Sequence, residues 1–287
     1  IVGAALAAAD DLTVASDALI VSAVDQTSDI DIIAKNSTAT NNNVFIAVKD
    51  NAAAGVTGHL TGGLKLTTFA TATLTNNDAN GQATLGPVVA HGTGLTIAAG
   101  TQGFTASATS INLTTGNLTV SGAGAVNLGN EVTAAAVLGT SALGPITIGL
   151  KGLDYVGNVT TGSGNDVLSI SSAVRNNTGS YTLVTGTGTD SLTLSIAQSF
   201  TWNAGADYDS LKFVGDLDLS NNVISLTSVD DFLLDAGASG ASKTVTINPT
   251  TFSSNNVFNL RGNTAGVDVL VVQGLATAET INANQVS

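Results

Sequence analysis

Two short strings bring potential oxygen ligands together at close spacing. Thr161 to Ile170 reads Thr-Gly-Ser-Gly-Asn-Asp-Val-Leu-Ser-Ile, and Thr185 opens Thr-Gly-Thr-Gly-Thr-Asp-Ser-Leu-Thr-Leu. Each places an aspartate (Asp166 or Asp190) two residues after the second of a glycine pair, Gly162 and Gly164 or Gly186 and Gly188. Glycine adopts positive φ without steric cost, so such a corner can bend until its carbonyls face inward. The aspartate adds a charged oxygen. This is ligand chemistry for a hard cation. Calcium takes about six to eight oxygens, so one corner supplies part of a shell and two corners, stacked roughly 4.8 Å apart, can complete it. The ion would then crosslink neighbouring turns of the chain. The same string also makes a good β-turn that needs no ion.

Weaker copies follow. Gly205-Ala-Asp207-Tyr-Asp209 puts Asp207 at the second glycine, and Thr264-Ala-Gly266-Val-Asp268 loses the first. Asp166, Asp190, Asp209 and Asp268 are separated by 24, 19 and 59 residues, the last being close to three steps of about 20. Asp230-Asp231 is a degenerate member, beginning 21 residues after Asp209. The expected metal residues are therefore Gly162, Gly164, Asp166, Gly186, Gly188, Asp190, Gly205, Asp207, Asp209 and Asp268, with Ca2+ as the ion.

Other chemistry is thinly represented. Asp10, Asp11, Asp17, Asp25, Asp29 and Asp31 lack glycine spacing and read as solvated turns and strand rims. Asp216 and Asp218 read as a strand edge rather than a catalytic dyad. His59 and His91 lie in glycine-rich stretches without acids at metal-ligand spacing, so zinc is not expected. There is no Gly-x-Ser-x-Gly elbow, no Walker loop and no His-Glu-x-x-His, and no enzyme activity is expected.

Short alternating strands would have to carry these corners. Leu168 and Ile170, Leu192, Leu194 and Ile196, Leu211 and Phe213, and Leu270 and Val272 share one parity. Ser169, Ser171, Thr193 and Ser195 take the other. Such a pattern suits a stacked wall with one wet face, built from coils of about 20 residues with one glycine-aspartate corner each. Trp202, Tyr208 and Phe213 read as core or coil-edge packing. Before residue 145, pairs such as Leu95 and Ile97, Ile111 and Leu113, and Leu118 and Val120 are separated by glycine- and asparagine-rich turns. The fold class is all-β, with β-solenoid or β-roll-like stacked coils in the second half. The first half is a short-strand β-solenoid or a β-sandwich. Gly144-Pro145 divides a β-rich region, residues 1–145, from a calcium-stapled solenoid-like region, residues 146–287.

Composition narrows the partners. The chain has 21 acidic and 8 basic residues, a formal net charge of -13 and 10% charged residues. It lacks the Lys and Arg that would displace counterions from nucleic acid. Without cations its acidity opposes compaction. There is no cysteine, which removes disulfides and thiolate sites, and no methionine, so Ile1 is not expected to be a natural start. Ile1 to Ala9 is apolar but too short to span a membrane; no membrane insertion is expected.

The unit at 161–169 and 185–193 resembles the RTX nonapeptide, Gly-Gly-x-Gly-x-Asp-x-Leu-x, with Thr161 and Thr185 in place of the first glycine. That resemblance implies parallel coils with calcium between turns, here recurring at about 20 residues rather than tandem nonapeptides. With the acidic, Thr-, Ala-, Asn- and Gly-rich composition, the chain is similar to secreted surface-layer proteins of Gram-negative bacteria that carry RTX-type motifs. The similarity implies a calcium-ordered structural subunit on the bacterial cell surface, whose partners are further copies of itself and calcium. Cell-surface polysaccharide would be reached through regions outside this chain. A fragment of a large calcium-binding adhesin is the alternative. A solenoid polysaccharide lyase or hydrolase would instead need acids clustered on one face of successive coils.

Overall fold

The computed structural model describes residues 10–14, 18–24, 29–34, 43–49, 59–67, 69–77, 81–90, 94–106, 110–113, 115–129, 131–150, 158–171, 181–235, 242–248, 258–262, 268–273 and 283–286. Ile1 to Ala9, Asp17, Asp25, His91 and Thr264 to Gly266 lie outside them, as does the side chain of His59.

The described residues form an all-β, right-through stack of coils, a β-solenoid. Thirty strands fall into sheets of 17, 10 and 3, and every ladder between them is parallel. From Ala18 to Asp235 each coil contributes a strand to the ten-stranded sheet and then one or two to the 17-stranded sheet; after that, Thr244–Ile247 and Val269–Val272 of the three-stranded sheet alternate with Phe258–Arg261 and Ala283–Val286 of the 17-stranded sheet. The ten-stranded sheet runs through Ala18–Val24, Asn43–Lys49, Thr71–Asn76, Gly94–Ala98, Asn117–Gly122, Ala136–Ala142, Asn158–Thr160, Tyr181–Val184, Phe200–Asn203 and Ile224–Thr227. A sandwich in the first half would need sequence neighbours to pair in antiparallel fashion; the first-half strands pair in parallel with strands one coil away.

Alternation builds the core. Leu95, Leu118, Val137, Val159, Leu183, Trp202 and Leu226 are in register along the inner side of the ten-stranded sheet, all buried. Facing them are Ile148, Leu168, Leu192, Leu211 and Phe232 from the other sheet. Phe213 and Phe232 stack with centroids 6.2 Å apart. Trp202 and Phe213 are thus core residues, whereas Tyr208 is 42% exposed. The core is thin, as a chain poor in aromatics and rich in Val, Leu and Ile requires.

The coil changes shape at Ile146 while the ladder continues. In the first half the second face is bent into two short strands per coil, such as Val126–Asn127 and Glu131–Thr133. Both pair with the single strand Ile146–Leu150, Val126 opposite Ile146 and Val132 opposite Leu150. From there each coil presents one straight strand: Val167–Ile170, Ser191–Leu194, Ser210–Val214, Asp231–Asp235. These are the strands that follow the glycine-aspartate corners.

Candidate functional site

The corners at Gly162, Gly186 and Gly205 lie directly over one another. Thr187 donates its N–H to Gly162 O at 3.2 Å, and Ala206 donates to Gly186 O at 2.9 Å. The approach leaves no room for a side chain: a Cβ on Gly186 would lie 1.8 Å from Gly162 O, and one on Gly205 would lie 1.8 Å from Gly186 O. All three have φ near +100°, at 104, 93 and 102. The second glycine column runs Gly164, Gly188, Asp207, with φ of 114, 125 and 82. Asp207 therefore holds a glycine conformation, and its exposed carboxylate accepts the Gly188 N–H at 3.1 Å.

The corner extends further toward the N-terminus than the aspartates do. Leu143 donates to Gly122 O at 2.8 Å and Ser163 to Ala142 O at 3.1 Å, so Gly122-Ala-Gly124 and Ala142-Leu-Gly144 are earlier layers of the same ladder. In those layers Val126 and Ile146, both buried, stand where the aspartates stand later. The signal was present as Gly124, Gly144 and Gly164 at equal intervals. It went unread because no acid accompanies the first two.

Asp166, Asp190 and Asp209 each turn inward, and each is 0% exposed. Each carboxylate reaches back one coil and accepts a backbone N–H. Ile146 donates to Asp166 Oδ1 at 2.7 Å, Asp166 to Asp190 Oδ1 at 2.8 Å, and Asp190 to Asp209 Oδ1 at 2.8 Å. Asp209 donates in turn to Asp230 Oδ2 at 2.8 Å, which makes Asp230 the next member of the column. These pairs are 20, 24, 19 and 21 residues apart, the lengths of the coils.

One oxygen of each carboxylate is thereby matched. The other is not: Oδ2 of Asp166, Asp190 and Asp209 is buried without a hydrogen-bond partner. The Thr161 and Thr185 hydroxyls stand beside the Asp166 and Asp190 carboxyls, but each has a single proton, and the geometry directs it to a carbonyl: Thr161 Oγ1 donates to Thr185 O at 3.4 Å and Thr185 Oγ1 to Ala204 O at 2.9 Å. Trp202 Nε1 donates to Thr185 Oγ1 at 3.3 Å, so the single tryptophan adjoins the column.

Burial is the main reason the carboxyls resist ionisation. It carries Asp166 from an ordinary 3.8 to about 6; the Thr161 hydroxyl and the Ile146 N–H oppose it, and the Asp190 charge adds to it. Burial likewise carries Asp209 to about 7, opposed by the Asp190 N–H and reinforced by the charges of Asp190, Asp230 and Asp207. Asp190 is raised for the same leading reason, against the Asp166 N–H and the Thr185 hydroxyl.

An anionic oxygen in this position calls for a proton or a cation, and a stack of three favours the cation as pH rises. The donor set fits a hard ion: unpartnered carboxylate oxygens, with glycine-rich backbone alongside. It is a file of acids one coil apart; among the described residues no three acidic, histidine or cysteine side chains gather into a preformed cage.

Asp268 is not part of this file. It precedes Val269–Val272 in the three-stranded sheet and accepts the Lys243 N–H at 2.9 Å. Asp216 and Asp218 belong to the same neighbourhood, Asp216 accepting the Thr244 N–H at 2.8 Å. Asp29 accepts the Gly63 N–H at 2.7 Å on the rim of the first half, and Asp31 beside it pairs through Oδ2 with Lys65 at 2.8 Å while its Oδ1 is buried without a hydrogen-bond partner.

Fold and site together define a parallel β-solenoid with a carboxylate file along one corner. No family model, no curated protein and no solved structure matches the chain.

Proposed function

We propose that the chain is a structural subunit of a secreted bacterial surface layer, ordered by calcium at its glycine-aspartate corner and self-assembling into a lattice. The observation that carries the calcium step is the unpartnered buried Oδ2 on Asp166, Asp190 and Asp209. In this reading the three carboxylates hold the cation, supported by the Gly162-to-Gly164, Gly186-to-Gly188 and Gly205-to-Asp207 turns. The bound charge neutralises part of the formal -13 and ties successive coils together. The chemistry is structural: the ion makes the rod rigid, and no bond is made or broken. Lattice formation rests on the resemblance of motif and composition to surface-layer proteins.

The test has two readouts. Calcium added to chelator-treated protein is expected to shift Trp202 fluorescence and raise the melting temperature, and electron microscopy in calcium is expected to show ordered sheets. Unchanged melting and fluorescence would overturn the calcium step. Persistent monomers at high concentration in calcium, with binding to a glycan, would replace the lattice subunit by an adhesin module.

A further inference from the structure

The outer side of the ten-stranded sheet differs from the rest of the surface in charge. Its described outward residues are Asn43, Phe45 and Ala47, then Thr71, Thr73 and Thr75, and in later coils Thr96, Asn117, Thr119, Leu138, Asn158, Thr160, Thr182, Val184, Thr201, Asn203, Ser225 and Thr227, with small residues between. None of these is charged, in a chain of net charge -13; Lys49, the last residue of Asn43–Lys49, is the one charged residue at an outward position of the sheet's strands. The outer side of the 17-stranded sheet, by contrast, carries Asp31, Lys65, Lys212, Asp231 and Arg261. Phe45, Thr73, Thr96, Thr119, Leu138, Thr160 and Val184 share one column along the axis. Phe45 is 44% and Leu138 37% exposed, so the column's large apolar groups stand in water.

We propose that this face is where a second copy of the chain docks, face to face. The proposal deepens the surface-layer reading and rests on it. Two strongly acidic molecules repel each other, and a charge taken into an interface loses its hydration unless it is paired. An uncharged face lets copies of the same chain approach without setting acid against acid. Threonine methyls, Phe45, Leu138 and Val184 supply the apolar area, and the hydroxyls can bond across or to trapped water. The nine strands from Asn43–Lys49 onward, at roughly 4.8 Å spacing and an average width of about 17 Å, give a face on the order of 700 Å2. One partner's share of a stable interface is about 600–1,000 Å2.

The decisive experiment is sedimentation of the whole chain in calcium over a range of concentrations. Thr96→Glu with Thr119→Glu places like charges at the centre of the face on both copies. Association is expected to weaken at least tenfold, with the melting temperature within a few degrees of wild type. Ser169→Glu with Thr193→Glu, outward on the other sheet, is expected to leave association unchanged. Because the chain has no cysteine, a spin label on Thr96→Cys gives a second measure, independent of the added charges. It should broaden on association, and a label on Thr193→Cys should not. If wild type associates and the Thr96 and Thr119 pair associates equally, this face is the wrong one and the surface-layer reading stands. If wild type stays monomeric, both fall. Broadening at 193 instead of 96 would also assign the contact elsewhere.

Discussion

Asp190 takes the Asp166 N–H on Oδ1 at 2.8 Å, while its own N–H goes to Asp209. The side chain here replaces the backbone carbonyl that would otherwise receive that proton in a parallel ladder. Two variants separate this acceptor role from the charge. Asp190→Asn keeps an oxygen for the Asp166 N–H and removes the anion; Asp190→Ala removes both. In chelator, Asp190→Asn is expected to be more stable than Asp190→Ala by about 1–3 kcal/mol, the cost of a buried donor left without a partner. Both should blunt the rise in melting temperature expected from calcium. Denaturant melts decide it, and equal stabilities would mean that the N–H finds another acceptor. The aspartates at 166, 190 and 209 were legible in sequence because corner glycines (a pair before 166 and 190, Gly205 alone before 209) and downstream leucines mark their register. Their equivalence to Val126 and Ile146 was not. Only the spacing of Gly124, Gly144 and Gly164, each two residues ahead, marks that equivalence, because an apolar residue in the acid's place carries no chemical signal of its own.

At the level of the corner, stacking is stricter than the repeat suggests. Gly186 has φ +93 and its Cβ would lie 1.8 Å from Gly162 O; Gly215 has φ +91 but nothing within 4 Å. Both substitutions to alanine incur the left-handed backbone cost of about 1–2 kcal/mol. Gly186→Ala must also push one coil off the next, breaking the Thr187-to-Gly162 and Ala206-to-Gly186 bonds. It is therefore expected to cost at least about 4 kcal/mol, and Gly215→Ala only about 1–2 kcal/mol. Comparable losses in urea melts would show that the turns can separate without penalty. Strand positions and inward parity were readable from alternation, since each strand has one wet side. Parallel pairing was harder to read, because it depends on partners a whole coil away. Asp268 illustrates the limit: its local string matches the corner, yet Lys243 and Val269–Val272 place it on the three-stranded sheet.

Across the whole molecule, net acidity and the buried file both make metal-free protein pH-sensitive, and their signs agree. Asp166 and Asp209 hold their protons to about 6 and about 7 when folded, against an ordinary 3.8. An acid with a raised folded value adds stability that is complete below the unfolded value and is lost as pH climbs through the folded one. Metal-free protein is thus expected to melt highest near pH 4 and to lose stability up to about pH 7–8, by a few kcal/mol in total. Repulsion among exposed acids grows as pH climbs and lowers stability in the same direction. Salt separates the two causes, because at 1 M the screening length is about 3 Å for exposed charges while buried pairs are screened far less. A pH dependence that survives 1 M NaCl belongs to the file, and one that vanishes belongs to the surface. On the proposed calcium reading the slope should reverse, since the ion would take only the ionised carboxylates and compete with their protons. With calcium present the melting temperature should rise between pH 5 and about pH 7.5 as binding strengthens. Scanning calorimetry over that range, with chelator or calcium and at low or high salt, provides the measurement. Parallel slopes in chelator and calcium would leave the orphaned oxygens to protons alone and remove the ion from the corner.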